Sequence, residues 1–292
     1  MERLQVRTSD GRQLGAQIAG PSEGRVVLFQ VGTPSAGLLY PPLVELGAER
    51  GLRHVAYSRP GYGDSDRRPG RRVADCTEDI AAVADALAID RFFTVGWSGG
   101  GPHALACAAR LPERTIAAAT LAGVAPRDAA GLDWMEGMGE ENLAEFGAAE
   151  AGAGPLEEFL RGERDGILAA GGPEIQASLG QLLSPVDRDA ATGEFAEYLA
   201  ALFHGALGED VWGWFDDDLA FVGDWGFSLQ EIERPVAIWQ GSEDRFVPYA
   251  HGRWLAANVP GARPHLLDGE GHLSILLGAY GRLLDDLVAL GS

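Results

Sequence analysis

Ser98 stands between glycines in Gly96-Trp97-Ser98-Gly99-Gly100, directly after the apolar run Phe92-Phe93-Thr94-Val95. That run is β-branched and aromatic and reads as a buried strand. The residues after it, 100–110, have helix-forming composition with Pro102 in the first turn. A serine on so sharp a strand-to-helix turn lifts its hydroxyl above the sheet. The glycines leave room where a Cβ would strike the neighbouring strand or helix. Backbone N–H groups at the helix N-terminus favour developing negative charge. The chemistry this suits is nucleophilic attack on a carbonyl, with the hydroxyl held on a nucleophile elbow.

A hydroxyl is a weak nucleophile until a base takes its proton, and the base must be oriented by a third group. Where the serine sits on an elbow, the acid and then the histidine follow it in the chain. Asp244 lies in Gly241-Ser-Glu-Asp-Arg245, just past the apolar segment 235–240. His272 lies in Gly269-Glu-Gly-His272, just past the segment 263–267. Glu243 and Asp128 are the alternative acids. His54, His103, His204, His251 and His265 fall on strands or helices and read as structural. Stabilising a tetrahedral oxyanion takes preformed N–H donors. One is expected from Gly99, next to the nucleophile. The other is expected from Thr33 in the loop Gly32-Thr33-Pro34-Ser35-Ala36-Gly37.

Strands are expected at 4–8, 13–19, 25–31, 53–57, 91–97, 114–121, 235–240 and 263–267. Helices are expected at 38–50, 73–87, 100–110, 248–258 and 273–290. The alternation predicts an α/β fold with a largely parallel, doubly wound sheet, whose loops gather the three residues at one edge. Between 125 and 229 the texture changes to helical segments, at 154–170, 173–183 and 189–207, broken by glycine and proline. The expected organisation is one α/β core, 1–124 with 230–292, carrying an inserted helical cap, 125–229.

All 23 basic residues are arginine, so Schiff-base chemistry, covalent pyridoxal phosphate attachment and a P-loop lysine are excluded. A net charge of −20 argues against nucleic acid and anionic membranes as partners. No apolar stretch approaches the roughly 18 residues of a membrane span, and the first residues lack an apolar signal core. A soluble, cytoplasmic protein, a small-molecule substrate and a possible homodimer are therefore expected. Cys76 and Cys107 fit no metal-ligand spacing and read as reduced thiols, with no cofactor and no metal implied.

These motifs together resemble the α/β-hydrolase superfamily, along almost the whole chain. They are GWSGGG at 96–101, VGTPSAG at 31–37, SRPGYGDS at 58–65, QGSEDRFVP at 240–248 and GEGH at 269–272. The resemblance implies an eight-stranded, mostly parallel sheet flanked by helices, with a helical cap over the site. It also implies Ser98 as nucleophile, His272 as base and Asp244 as orienting acid. Two positions depart from the pattern: Val31-Gly32 replaces the usual His-Gly, and Ser58 stands where an aspartate is common. Serine at the elbow argues against epoxide hydrolases and haloalkane dehalogenases of this fold, which use aspartate. A carboxylesterase acting through an acyl-enzyme on small or medium apolar acyl substrates is the leading reading. A proline iminopeptidase-like aminopeptidase, a C–C bond hydrolase and a non-hydrolytic biosynthetic or receptor member are the alternatives.

Specificity is expected in the cap and in the residues facing it. Gly32, Trp97, Trp212 and Trp214 are the candidate substrate contacts. The stretch 125–230 holds 22 acidic residues against 4 arginines. The acidity reads as a solvated face. The functional alternative is a bias toward cationic or neutral substrates, sought at Asp216-Asp217-Asp218 beside Trp212 and Trp214.

Overall fold

The computed structural model describes residues 1–291. Its sheet has eight strands: β1 (Glu2–Arg7), β2 (Gln13–Ala19), β3 (Arg25–Gln30), β4 (Leu52–Tyr57), β5 (Phe92–Trp97), β6 (Thr115–Leu121), β7 (Val236–Gly241) and β8 (Arg263–Leu267). Their spatial order is β1-β2-β4-β3-β5-β6-β7-β8. The β1–β2 and β2–β4 pairs are antiparallel and the other five are parallel. β3 lies between β4 and β5, so the chain reverses its winding there and the loops after β3 and β5 open side by side. A crevice at such a switch point is where open α/β sheets bind ligands.

Helices α1 (Pro41–Ala48), α2 (Cys76–Ala86) and α3 (Gly100–Arg110) connect the central strands. Period-two alternation divides the sheet into two cores. Val26, Leu28 and Phe92 join the core that includes Ile80 of α2 and Leu105 of α3. Val27, Phe29 and Phe93 join the opposite core with Leu43 of α1. Phe92 and Phe93 are both fully buried, each burial stabilising by about 1.5–3 kcal/mol over exposure. A sheet covered on both faces explains why β3 and β5 read as continuous apolar runs.

Between β6 and β7 the described residues form helices only: α4 (Glu140–Ala151), α5 (Ala153–Ala169), α6 (Ile175–Ser178), α7 (Pro185–Ala190), α8 (Gly193–Leu207) and α9 (Trp212–Val222), with short 3-10 turns. The helix expected over 173–183 is instead two 3-10 turns flanking the four-residue α6. Gly180, at φ 51°, breaks it by entering left-handed backbone. α10 (Tyr249–Asn258) and α11 (Ser274–Leu290) complete the chain, α11 packing on the α1 face. Among the described residues no helix is long and apolar enough to cross a membrane.

Candidate active site

β5 is buried along its whole length and delivers Ser98 to a turn at φ 56°, a left-handed conformation that serine rarely adopts. Neighbouring chain holds the turn: the Ser98 N–H donates to Leu121 O of β6 at 2.9 Å, and Gly101 N–H donates to Ser98 O at 2.8 Å. The glycines have the expected steric cause. A Cβ on Gly96 would lie 2.1 Å from Gly100 O, and one on Gly100 would lie 2.0 Å from Gln30 O at the end of β3.

His272 Nδ1 hydrogen-bonds Asp244 Oδ2 at 2.9 Å, with both side chains buried. Asp244 is fixed in turn. Its Oδ1 accepts the Phe246 and Val247 N–H groups at 2.9 and 2.8 Å, and its Oδ2 accepts Gln240 Nε2 at 2.9 Å. Burial raises the Asp244 carboxyl above its ordinary range, and the His272 contact opposes that shift. The imidazole stacks on Phe246 with centroids 4.4 Å apart. Glu243 and Asp128, the alternative acids, are exposed.

Ser98 and His272 line one small cavity together with Gly32, Thr33 and Trp97. Trp97 Nε1 donates to His272 O at 3.2 Å, so this tryptophan also braces the histidine loop. Ser98, Thr33 and Gly99 also line a larger cavity of about 120 Å³. Thr33 and Gly99 are close neighbours: a Cβ on Gly99 would lie 2.6 Å from Thr33 Oγ1. Neither of their backbone N–H groups has an acceptor among the described residues.

Trp214 lines the larger cavity, as do Phe146, Phe159, Phe203 and Phe221. Trp212 does not. The Arg67 guanidinium lies over its ring at 3.9 Å, in a separate surface depression beside Asp210. The expectation that Trp212 contacts substrate is therefore corrected: Arg67, tethered to Asp216, draws the indole outward.

Three further residues support the site: Arg59 and Asp187, which the sequence did not single out, and Asp217, which it marked only as part of an acidic run. Arg59 donates to Val31 O at 2.6 Å, Gly32 O at 2.8 Å and Thr33 Oγ1 at 2.8 Å, which pins the loop after β3. Asp217 of α9 accepts from Arg59 Nη2 at 2.6 Å, Arg71 Nη1 at 2.6 Å, Thr33 Oγ1 at 2.6 Å and Tyr62 OH at 2.9 Å. Burial alone would raise its carboxyl, but the two guanidinium charges hold it far below the usual carboxylate range. Asp187 of α7 accepts the N–H groups of His272, Leu273 and Ser274 at 3.0, 2.7 and 3.0 Å, capping α11 from outside the strand framework. Ser184-Pro-Val-Asp187 is legible as a helix start. Its second task, holding the His272 loop, has no local signature.

The acidity of the helical stretch is thus not simply a solvated face: Asp187, Asp216, Asp217 and Asp218 are all buried. Among the described residues no group of histidine, cysteine or carboxylate side chains is placed to hold a metal.

The family described as alpha/beta hydrolase fold matches residues 25–279. A pimeloyl-[acyl-carrier protein] methyl ester esterase of Xanthomonas campestris is 30% identical over 254 residues, covering 87% of this chain and 90% of its own. A non-heme chloroperoxidase of Streptomyces lividans is 27% identical, with 84% of this chain and 83% of its own covered. Among solved structures, an esterase from Exiguobacterium antarcticum superimposes with TM-score 0.69 at 19% identity, covering 99% of each chain. A hydrolase from Pseudomonas aeruginosa does so with TM-score 0.71 at 20% identity, covering 99% of this chain and 98% of its own. With a family match across most of the chain and an esterase relative across nearly all of it, the protein is an enzyme of the α/β-hydrolase fold family.

Proposed function

We propose that the protein is a serine carboxylesterase that works through an acyl-enzyme. The observation that carries this reading is the buried His272–Asp244 hydrogen bond in a loop that shares a cavity with the strained Ser98. Asp244 holds the imidazole with Nδ1 as donor, which leaves Nε2 free to act as base. Ser98 Oγ attacks the ester carbonyl while His272 takes its proton. The Gly99 and Thr33 N–H groups receive the oxyanion, each lowering the barrier by on the order of 3 kcal/mol. Collapse breaks the bond to the alkoxide, which leaves with the proton from His272. Water then gives a proton to His272 and attacks the acyl carbon. Ser98 Oγ departs with that proton and the carboxylic acid is released.

Names of relatives support the class, since several are esterases and one is a bifunctional esterase/perhydrolase. In this reading 125–229 is a cap, and its Phe146, Phe159, Phe203 and Trp214 form an apolar acyl pocket. A cavity of about 120 Å³ suits a small or medium chain, being of the order that holds one benzene-sized group. Ser98→Ala is expected to lower ester turnover by roughly 10⁴-fold or more with the circular dichroism spectrum unchanged. Turnover within tenfold of the parent enzyme would contradict the proposal.

A further inference from the structure

α9 places three consecutive aspartates on the inner side of the helical stretch, and two of them meet cations. Asp216 is held by Arg67 at 2.8 Å, and Asp217 by Arg59 and Arg71. Asp218 is fully buried in the wall of the Ser98 cavity, and among the described residues neither of its carboxyl oxygens has a hydrogen-bond donor. What lies within hydrogen-bonding reach is another acid, Glu145 of α4, whose Oε1 accepts Trp214 Nε1 at 2.7 Å. Glu141 and Glu163 line the same cavity, and among the described residues no arginine or histidine does. The chain has no lysine that could serve instead.

We propose that the Glu145–Asp218 pair is a cation subsite of the Ser98 cavity, built to receive the protonated amine of an ester substrate. An ammonium brings three donors to a carboxyl pair that, among the described residues, accepts only from Trp214 Nε1. Phe146, Phe221 and Trp214 line the same cavity, and aromatic rings near a cation attract it further. Two carboxyl groups facing each other in a poorly solvated wall are otherwise unfavourable unless they keep a proton between them. Burial pushes Glu145 up to about 7, and burial together with Glu145 raises Asp218 well above the usual range. Glu163 and Asp217 add to that tendency, while Arg71 opposes it at Asp218. An entering ammonium replaces the shared proton, which passes to solvent. Affinity for the cation therefore climbs as pH rises from 5 to 8. The same field disfavours substrates whose acyl chain ends in a carboxylate or phosphate.

The inference rests on the reading of Ser98 as the nucleophile of an esterase, and binding separates the two. Calorimetric titration of the intact enzyme with n-pentylammonium and with n-pentanol is the direct test. The ammonium is expected to bind roughly tenfold tighter or better, with proton release measurable in buffers of different ionisation enthalpy. Glu145→Gln and Asp218→Asn are each expected to abolish that preference, the first serving if the second fails to fold. In turnover, methyl 6-aminohexanoate is expected to exceed methyl heptanoate in kcat/KM by a similar factor. Equal affinities for ammonium and alcohol, or a preference that survives both substitutions, would overturn the subsite. Ammonium binding without ester turnover would leave the subsite standing and break the reading of Ser98.

Discussion

Asp217 and Asp218 are adjacent on one helix and equally buried, yet their surroundings are opposite. Asp217 sits between two guanidinium groups, and one of them, Arg59, also holds the loop carrying Thr33. Asp218 faces a second carboxyl and an open cavity. The first is a closed electrostatic unit, complete without any ligand. The second leaves both Asp218 oxygens without a donor among the described residues. Helical periodicity makes this possible, since a step of about 100° between neighbours sends adjacent side chains to different surroundings. The comparison shows that the acidity of the helical stretch is divided between carboxylates tied to arginines and a carboxyl that lines the Ser98 cavity.

Breaking the fastened side is expected to have the largest effect on stability. Asp217→Ala leaves Arg59 and Arg71 buried without a counter-charge, and a cost of about 3–5 kcal/mol is predicted from denaturant unfolding. The pH dependence sharpens the contrast. The Asp217 carboxyl is lowered in the folded state, so its contribution is fully present above the unfolded value near 4. It is lost only as pH falls through the folded value. The stability gap between the parent and Asp217→Asn should therefore be flat from pH 5 to 8.

The Asp187 brace is predicted to matter next. Asp187→Ala frees three backbone N–H groups at the His272 loop, and a loss on the order of 10²-fold, mainly in kcat, is expected from displacement of the base. Asp187→Asn keeps one acceptor oxygen for Leu273 and Ser274 and should recover part of it. A change confined to KM would place Asp187 outside the positioning of His272.

On the unfastened side the sign reverses. Glu145 is raised in the folded state, so the native protein holds the proton more tightly than the unfolded chain. That stabilisation is present below the unfolded value and is lost as pH rises toward about 7. Glu145→Gln removes a burden that grows across this window, and a gain in Tm of roughly 2–4 °C at pH 8, shrinking at pH 5, is expected by calorimetry. The smallest effect is predicted for Trp212→Ala. With its ring outside the Ser98 cavity, kcat/KM should stay within about twofold of the parent.

The strand framework was legible because two-sided burial leaves uninterrupted apolar runs: β8 falls where the sequence places it, and β3, β5, β6 and β7 within one residue at each end. The positions of Asp244 and His272, in the loops after β7 and β8, were legible because each loop follows such a strand. The helical stretch was harder to read. α4 and α9 were not expected as helices, and α9 carries aromatics and aspartates that are weak helix formers. It is held by arginines 146 to 158 residues away in the chain, a pairing that no local pattern announces. Arg59 as the residue that pins the loop after β3 was hidden too, because its contacts with Val31, Gly32 and Thr33 reach 26 to 28 residues back along the chain. Trp212 was misplaced for a related reason: composition shows that an aromatic is present, and packing decides which side it faces.

The central claim is that Ser98, activated by a base that Asp244 orients, carries the acyl group. Rapid acid quench during turnover of an activated ester, followed by peptide mass mapping, tests it most directly. The account predicts one acyl adduct, on the peptide containing Ser98, that accumulates within the first turnover and disappears in Ser98→Ala together with activity. An adduct on a different residue, or steady hydrolysis by Ser98→Ala at the parent rate, would contradict it.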